Sequence, residues 1–115
     1  MDILFKKEKD RKICNNAELL HKEFKGNQRR CKQIRARLDE LVDADNLEVM
    51  RYIPMAYCHE LKSKRKGQLS VKLDQGHRMI FKPANDPLPI KPDGGIDWSR
   101  VTAVRILKIS EDYHD

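Results

Sequence analysis

Residues 58–82 read CHELKSKRKGQLSVKLDQGHRMIFK, and the fold turns on how that stretch is parsed. Leu69, Val71 and Leu73 alternate with Gln68, Ser70 and Lys72, the period of two that gives a strand one apolar face. Turn chemistry brackets this strand on both sides. Ser63 to Lys66 is closed by Gly67, and Asp74-Gln75-Gly76 ends in a residue that adopts positive φ without steric cost. The stretch therefore predicts three short strands joined by two tight turns, with His59, Lys62, Lys64, Arg65, Lys66 and Arg78 gathered on one small sheet. A half-polar antiparallel sheet carrying a histidine and this many cations suits a phosphodiester ligand.

Towards the N-terminus, Ile3-Leu4-Phe5 lies between Asp2 and Lys6-Lys7 and predicts a strand added to that sheet. One or two helical turns follow from Glu8 to about Ile13. Asn15 or Asn16 can cap a second helical segment, Ala17 to Lys25, which Gly26-Asn27 punctuates. From Gln28 the spacing of Cys31, Ile34, Leu38 and Leu41 predicts a longer amphipathic helix, and Leu20 and Phe24 give the preceding segment its own stripe. Both can cover the same sheet face. Arg29, Arg30, Lys32, Arg35 and Arg37 fall on the opposite side, where a solvated helix surface is the first reading and contact with RNA, through Arg29 and Arg30, the second. Asp43 to Asn46 ends the helix, and Leu47 to Tyr52 reads as a short helical turn before Ile53-Pro54.

Towards the C-terminus, residues 83–99 read PANDPLPIKPDGGIDWS, a long loop insertion that should lack regular structure and be pinned to the body by Ile96 and Trp98. VTAVRILKI, from Val101, is apolar on both faces, as a central strand requires. The expected fold class is α+β: an N-terminal strand and two or three helices packed on one face of a small, mainly antiparallel sheet, in a single domain spanning residues 1–115.

With 39% apolar and 37% charged residues over 115 positions, one modest core and a densely charged surface are expected. The formal net charge of +6 favours a polyanionic partner. No apolar run approaches the roughly 20 residues of a membrane span, and MDILFKKEK has too short an apolar segment for a signal peptide. A cytoplasmic location without membrane association is the expectation. Cys14, Cys31 and Cys58 are odd in number and form no CxxC pair, so they read as reduced, packed thiols. Neighbouring strand residues such as Cys58 and His59 point to opposite faces and would not converge on an ion. No metal or cofactor is expected.

RNA cleavage without a metal needs a base for the 2′-hydroxyl proton, an acid for the leaving 5′-oxygen and cations around the phosphorane. His59 and His77 open strands, His114 is next to last, and His21 lies on a helical segment. Singly, each reads first as a structural or surface histidine. Arg78 is more pointed: flanked by Met79, Ile80 and Phe81, it should be partly buried and need an anionic partner, with Glu111 or Asp112 as the ordinary choice. Lys64-Arg65-Lys66 is either a solvated tip or a phosphate clamp.

The combination resembles the RelE/ParE superfamily of bacterial toxins, and three local matches resemble its HigB-like branch. These are HEL followed by a basic turn and glycine in His59 to Gly67, the R-x-x-F of Arg78 to Phe81, and the EDYH of Glu111 to His114. The resemblance implies a toxin of a type II toxin–antitoxin pair: a metal-free endoribonuclease that cuts mRNA on the ribosome and is neutralised by a cognate antitoxin. It implies His59, Lys62, Arg78, Tyr113 and His114 as the catalytic cluster. His114 or His59 would handle protons, Arg78 would stabilise the phosphorane and Tyr113 would stack on or orient the nucleotide. Lys64, Arg65, Lys66, Arg29 and Arg30 would grip RNA. The long loop at 83–99 departs from the most compact members of that branch. A toxin of the ParE kind, which shares the fold but binds DNA gyrase, is the alternative; it would need no proton-transfer groups. A basic nucleic-acid-binding module comes next, weakened by the scarcity of aromatics for base stacking.

Overall fold

The computed structural model describes residues 1–113; His114, one of the expected catalytic residues, lies outside them. The fold is α+β, with three α-helices and a five-stranded mixed sheet. Strand β1 (Asp2–Phe5) leads into α1 (Glu8–Cys14), α2 (Ala17–Glu23) and α3 (Gln28–Asp43). Strands β2 (His59–Glu60), β3 (Leu69–Lys72), β4 (His77–Pro83) and β5 (Ala103–Asp112) follow, in the spatial order β1-β5-β4-β3-β2. β1 pairs parallel to β5, and the other three pairings are antiparallel. None of the described helices is long and apolar enough to cross a membrane.

Local chemistry explains the boundaries. Of the two candidate caps, Asn16 starts α2 by accepting from the backbone N–H of Glu18 (3.0 Å) and Leu19 (3.2 Å), while the Asn15 amide donates to the Arg11 carbonyl (2.9 Å) and closes α1. Asn27 caps α3 through the Arg30 N–H at 2.9 Å. Between β3 and β4, Gln75 (φ 49°) and Gly76 (φ 77°) both take positive φ, and the His77 N–H returns to the Asp74 carbonyl at 3.0 Å. That is the two-residue turn whose twist matches an antiparallel hairpin. Its geometry places Leu69, Val71, Met79, Phe81 and Ile106 with Ile34, Leu38 and Leu41 of α3 in one buried cluster. Ser70, Lys72, Arg78, Ile80 and Lys82 fall on the other face.

The long segment after β4 is less irregular than expected. Ile90 and Ile96 form an isolated bridge, the Asp97 N–H reaches the Pro89 carbonyl at 2.9 Å, and Trp98–Arg100 makes a 3₁₀ turn. Trp98 is buried, with the Arg51 guanidinium 3.7 Å above its ring and its indole N–H donating to Glu60 at 2.9 Å. The insertion is thus pinned at Trp98 and Ile96, as its sequence suggests.

One expectation is corrected. Arg30 and Arg37, read as part of a solvated basic face, are buried. Arg37 donates to the Lys72 carbonyl (2.7 Å), the Met55 carbonyl (3.0 Å) and Glu40 (2.7 Å). Arg30 pairs with Asp74 and donates to Ser110 at 3.2 Å. The β3–β4 turn and the 53–57 segment close over this flank of α3, so a pattern of charge along one helix could not reveal it. Arg30 is therefore not available as the RNA contact inferred for it, whereas Arg29 is exposed.

Burial alone would raise the Asp74 carboxyl, but the bond from Arg30, its own backbone contact and the nearby positive charge hold it below its ordinary value. A depressed folded value gives stability that is complete above the ordinary carboxylate range and lost as pH falls through the folded value. Arg30→Met should cost about 3–5 kcal/mol by stranding the buried carboxylate. Arg30→Met/Asp74→Asn should recover much of that loss and show a shallower decline on acidification, both read from urea unfolding at a series of pH values.

Candidate functional site

The ladder brings the site together two residues at a time. His59 on β2 lies opposite Ser70 on β3, and Lys72, next along that face, lies opposite Arg78 on β4. Arg78 is thus diagonal to Ser70, a separation of roughly 7–8 Å that a long side chain spans. Its Nε donates to the fully buried Ser70 hydroxyl at 2.6 Å. Its Nη2 donates to the Tyr57 carbonyl at 2.8 Å and lies 3.3 Å from His59 Nδ1. The guanidinium carbon sits 5.7 Å from the centre of the Tyr113 ring, within cation–π range. Tyr113 is held there by its N–H, which donates to the Gly76 carbonyl at 3.1 Å.

Tyr57 is the residue that sequence reasoning missed. It occupies the left-handed region (φ 47°, ψ 51°) directly after the 3₁₀ turn Pro54–Ala56, a conformation costing an L-residue roughly 1–2 kcal/mol. That kink turns its carbonyl towards Arg78 and His59, whose Nδ1 is 3.2 Å from the same oxygen. The one available signal was Pro54, which starts a short turn and predicts nothing about a tyrosine three residues later. Ser70 was read as one of the polar positions of its strand, and nothing in the pattern distinguished a buried hydroxyl acceptor from a solvated one.

The His59 ring can play either proton role, depending on which hydrogen bond its Nδ1 makes. If Nδ1 donates to the Tyr57 carbonyl, Nε2 carries a lone pair and is a base. If Nδ1 accepts from Arg78, Nε2 carries the proton and is an acid. Glu111, opposite Arg78 in the ladder, takes a two-pronged bond from Arg65 (2.6 and 2.7 Å), with the Lys108 amine 3.3 Å away. The Arg65 bond, with help from Lys108, holds the Glu111 carboxyl below its ordinary range.

The sheet thus unites His59, Arg78 and Tyr113 on the face away from the helices. Lys62 is exposed beside the 3₁₀ turn Ser63–Arg65 and makes no hydrogen bond to this group among the described residues. Lys64 and Lys66 are exposed on the same turn, while Arg65 is tied to Glu111. His77 belongs to another network, 3.3 Å from the Ser110 hydroxyl that Arg30 also contacts. Burial pushes the Cys14 and Cys58 thiols up to about 12, which leaves both protonated and unreactive near neutrality. No cluster of metal-ligating side chains occurs among the described residues.

Compared with protein-family models, curated proteins and solved structures, the chain matches none. The site's own shape then decides how a ligand would meet it. Two concavities, of about 600 and 550 Å³, lie among α1, α2 and α3, and no member of the Arg78 group lines either. Arg78, His59 and Tyr113 are half-buried, Ser70 and Ile80 of the same face are buried, and a third concavity, of about 280 Å³, is lined by Tyr57 and Lys72, so the group meets a ligand at a partly covered surface.

Ser70→Ala should leave the Arg78 Nε–H without its acceptor. The expected cost is about 1–3 kcal/mol in unfolding free energy, together with faster solvent exchange of the Arg78 Nε proton by NMR. An unchanged exchange rate would mean that Ser70 does not hold the guanidinium.

Proposed function

We propose that this chain is a toxin of a type II toxin–antitoxin pair, similar to the HigB-like branch of the RelE/ParE superfamily, and that it acts as a metal-free endoribonuclease on ribosome-bound mRNA. The observation that carries the reading is the Arg78 group, in which a guanidinium fixed by Ser70 and Tyr57 lies beside the His59 ring and the Tyr113 face. The parallel pairing of the first strand with the last, with the helices between, is further support.

In this reaction His59 Nε2 takes the proton of the 2′-hydroxyl while its Nδ1–H donates to the Tyr57 carbonyl. The 2′-oxygen attacks phosphorus and the bond from phosphorus to the 5′-oxygen breaks. His114, assigned by the resemblance, returns a proton to the leaving oxygen. The products are a 2′,3′-cyclic phosphate and a 5′-hydroxyl end. The Arg78 guanidinium places positive charge beside the phosphorane oxygens, an interaction strengthened as charge builds up there. The Tyr113 ring offers a flat surface for the base next to the cut. The cognate antitoxin is the expected protein partner, and Lys64, Lys66 and Arg29 are available as cations for ribosomal RNA.

Induced expression followed by mapping of mRNA 5′ ends tests this. Wild-type chain should arrest growth and produce new in-frame ends, and Arg78→Ala should lower cleavage by about 10²–10³-fold, the typical loss of one charge-stabilising donor. Arrest without new ends, retained in Arg78→Ala, would replace the reading with a gyrase-binding toxin.

A further inference from the structure

Four residues beyond Arg78 on the same strand, the face away from the helices carries an arrangement that the cleavage chemistry does not use. Lys82 lies directly opposite Arg105 in the β4–β5 ladder, so two cations share one cross-strand position with Cβ atoms roughly 4.5–5.5 Å apart. Like charges so placed repel. Among the described residues neither takes part in an ion pair. Of the acids on this face, Glu111 is engaged by Arg65 and Lys108, and Asp2, diagonal to Arg105 across the β1–β5 ladder, forms no ion pair with it among the described residues. Elsewhere the fold pairs some cations, as at Arg30, Arg35, Arg51 and Arg100, and the feature particular to Lys82 and Arg105 is that they face each other across one ladder position. The row continues onto β1 as Leu4, an exposed apolar side chain opposite Arg105.

We infer that Lys82 and Arg105 form a phosphate subsite for a single-stranded RNA backbone, binding the same strand that Arg78 engages but away from the cut. The inference rests on the ribonuclease reading for the identity of the ligand. Lys82 and Arg78 are both on the face of β4 away from the helices, and four residues of strand separate them by about 13 Å. Ile80, between them on that face, is buried, so an RNA strand that joins Arg78 to the Lys82–Arg105 pair passes over the cover of Ile80 and reaches the pair within its next few phosphates. A backbone phosphate between the two cations replaces their repulsion with two attractions, and Leu4 at the end of the row offers apolar contact to a sugar or base. The subsite reads backbone and carries no base specificity.

The test uses a single-stranded oligoribonucleotide fully 2′-O-methylated, so that it binds but cannot be cut, and measures affinity by fluorescence anisotropy across a salt series. Each neutralised phosphate lost from a single strand flattens the plot of log K against log salt by about 0.7, so Lys82→Gln/Arg105→Gln, which gives up the one phosphate held between them, should flatten it by about 0.7. A control that also removes two charges, Lys22→Gln/Lys25→Gln on the helical side, should leave the slope near wild type. The Lys82→Gln/Arg105→Gln protein should unfold at no lower temperature than wild type, because its substitutions remove a repulsion. An unchanged slope in that variant, an equal loss in the control, or no RNA binding by wild type would each overturn the inference. So would loss of binding to polyglutamate with RNA binding intact, which would assign the pair to an acidic protein. If the slope falls as expected but no mRNA ends are found, the subsite stands and the ribonuclease reading falls, because nothing in this assay depends on cleavage.

Discussion

Strand β5 has neighbours on both edges, and the rest of the molecule is arranged by that constraint. It accepts β1 in parallel on one side and β4 antiparallel on the other. A parallel pair cannot be closed by a hairpin; the intervening chain has to cross a face of the sheet. Here α1, α2 and α3 occupy that crossing, and α3 packs Ile34, Leu38 and Leu41 into the common core. One face is thereby committed to the helices. The other is left to the polar residues of β2, β3 and β4, which is why His59, Ser70 and Arg78 share it.

The pairing of β5 with β4 also shapes the site. From Arg78 to Phe81 the chain takes three steps on β4, while the partners run from Glu111 to Ile106, five steps on β5. The extra residues are bulges, which bend a strand and re-aim its side chains. Glu111 ends opposite Arg78 yet bonded to Arg65, and Tyr113 ends over the Arg78 guanidinium. Without the register shifts the terminal segment would present different residues to β4. An ordinary arginine–carboxylate pair across the ladder would have been the simpler outcome; here Arg65, from the basic turn, takes that carboxylate.

What was legible followed from periodicity and turn chemistry. The alternation at Leu69, Val71 and Leu73, the glycines at 67 and 76, and the three-and-four spacing from Cys31 to Leu41 all report local physics, and they located the strands and the long helix. The two-faced apolar run after Val101 gave the interior strand for the same reason. Arg30 and Arg37 were misread because their burial depends on a turn and a loop more than fifteen residues away, and charge on a helix carries no record of what later covers it. Ser70 was likewise indistinguishable from a solvated serine. Tyr57 could not be read at all: a left-handed tyrosine is set by the packing on either side of it, and no propensity favours it. The sequence thus named the cation and the ring at the centre of the site but not the groups that orient them.

Orientation is also where the long insertion becomes intelligible. β2 is two residues long, too short to hold a side chain in place by its own ladder bonds, and it lies at the outer edge of the sheet. Glu60, next to His59, receives the Trp98 indole N–H, and Trp98 is buried with Arg51 stacked on it. The 83–99 excursion therefore anchors the strand that presents His59, while the Tyr57 carbonyl fixes the ring from the other side of the chain. A segment that looked peripheral to the candidate site is tied by one hydrogen bond to Glu60, the residue beside His59. The edge of a sheet is ordinarily its most mobile part, and this one is braced on both sides of the histidine it carries.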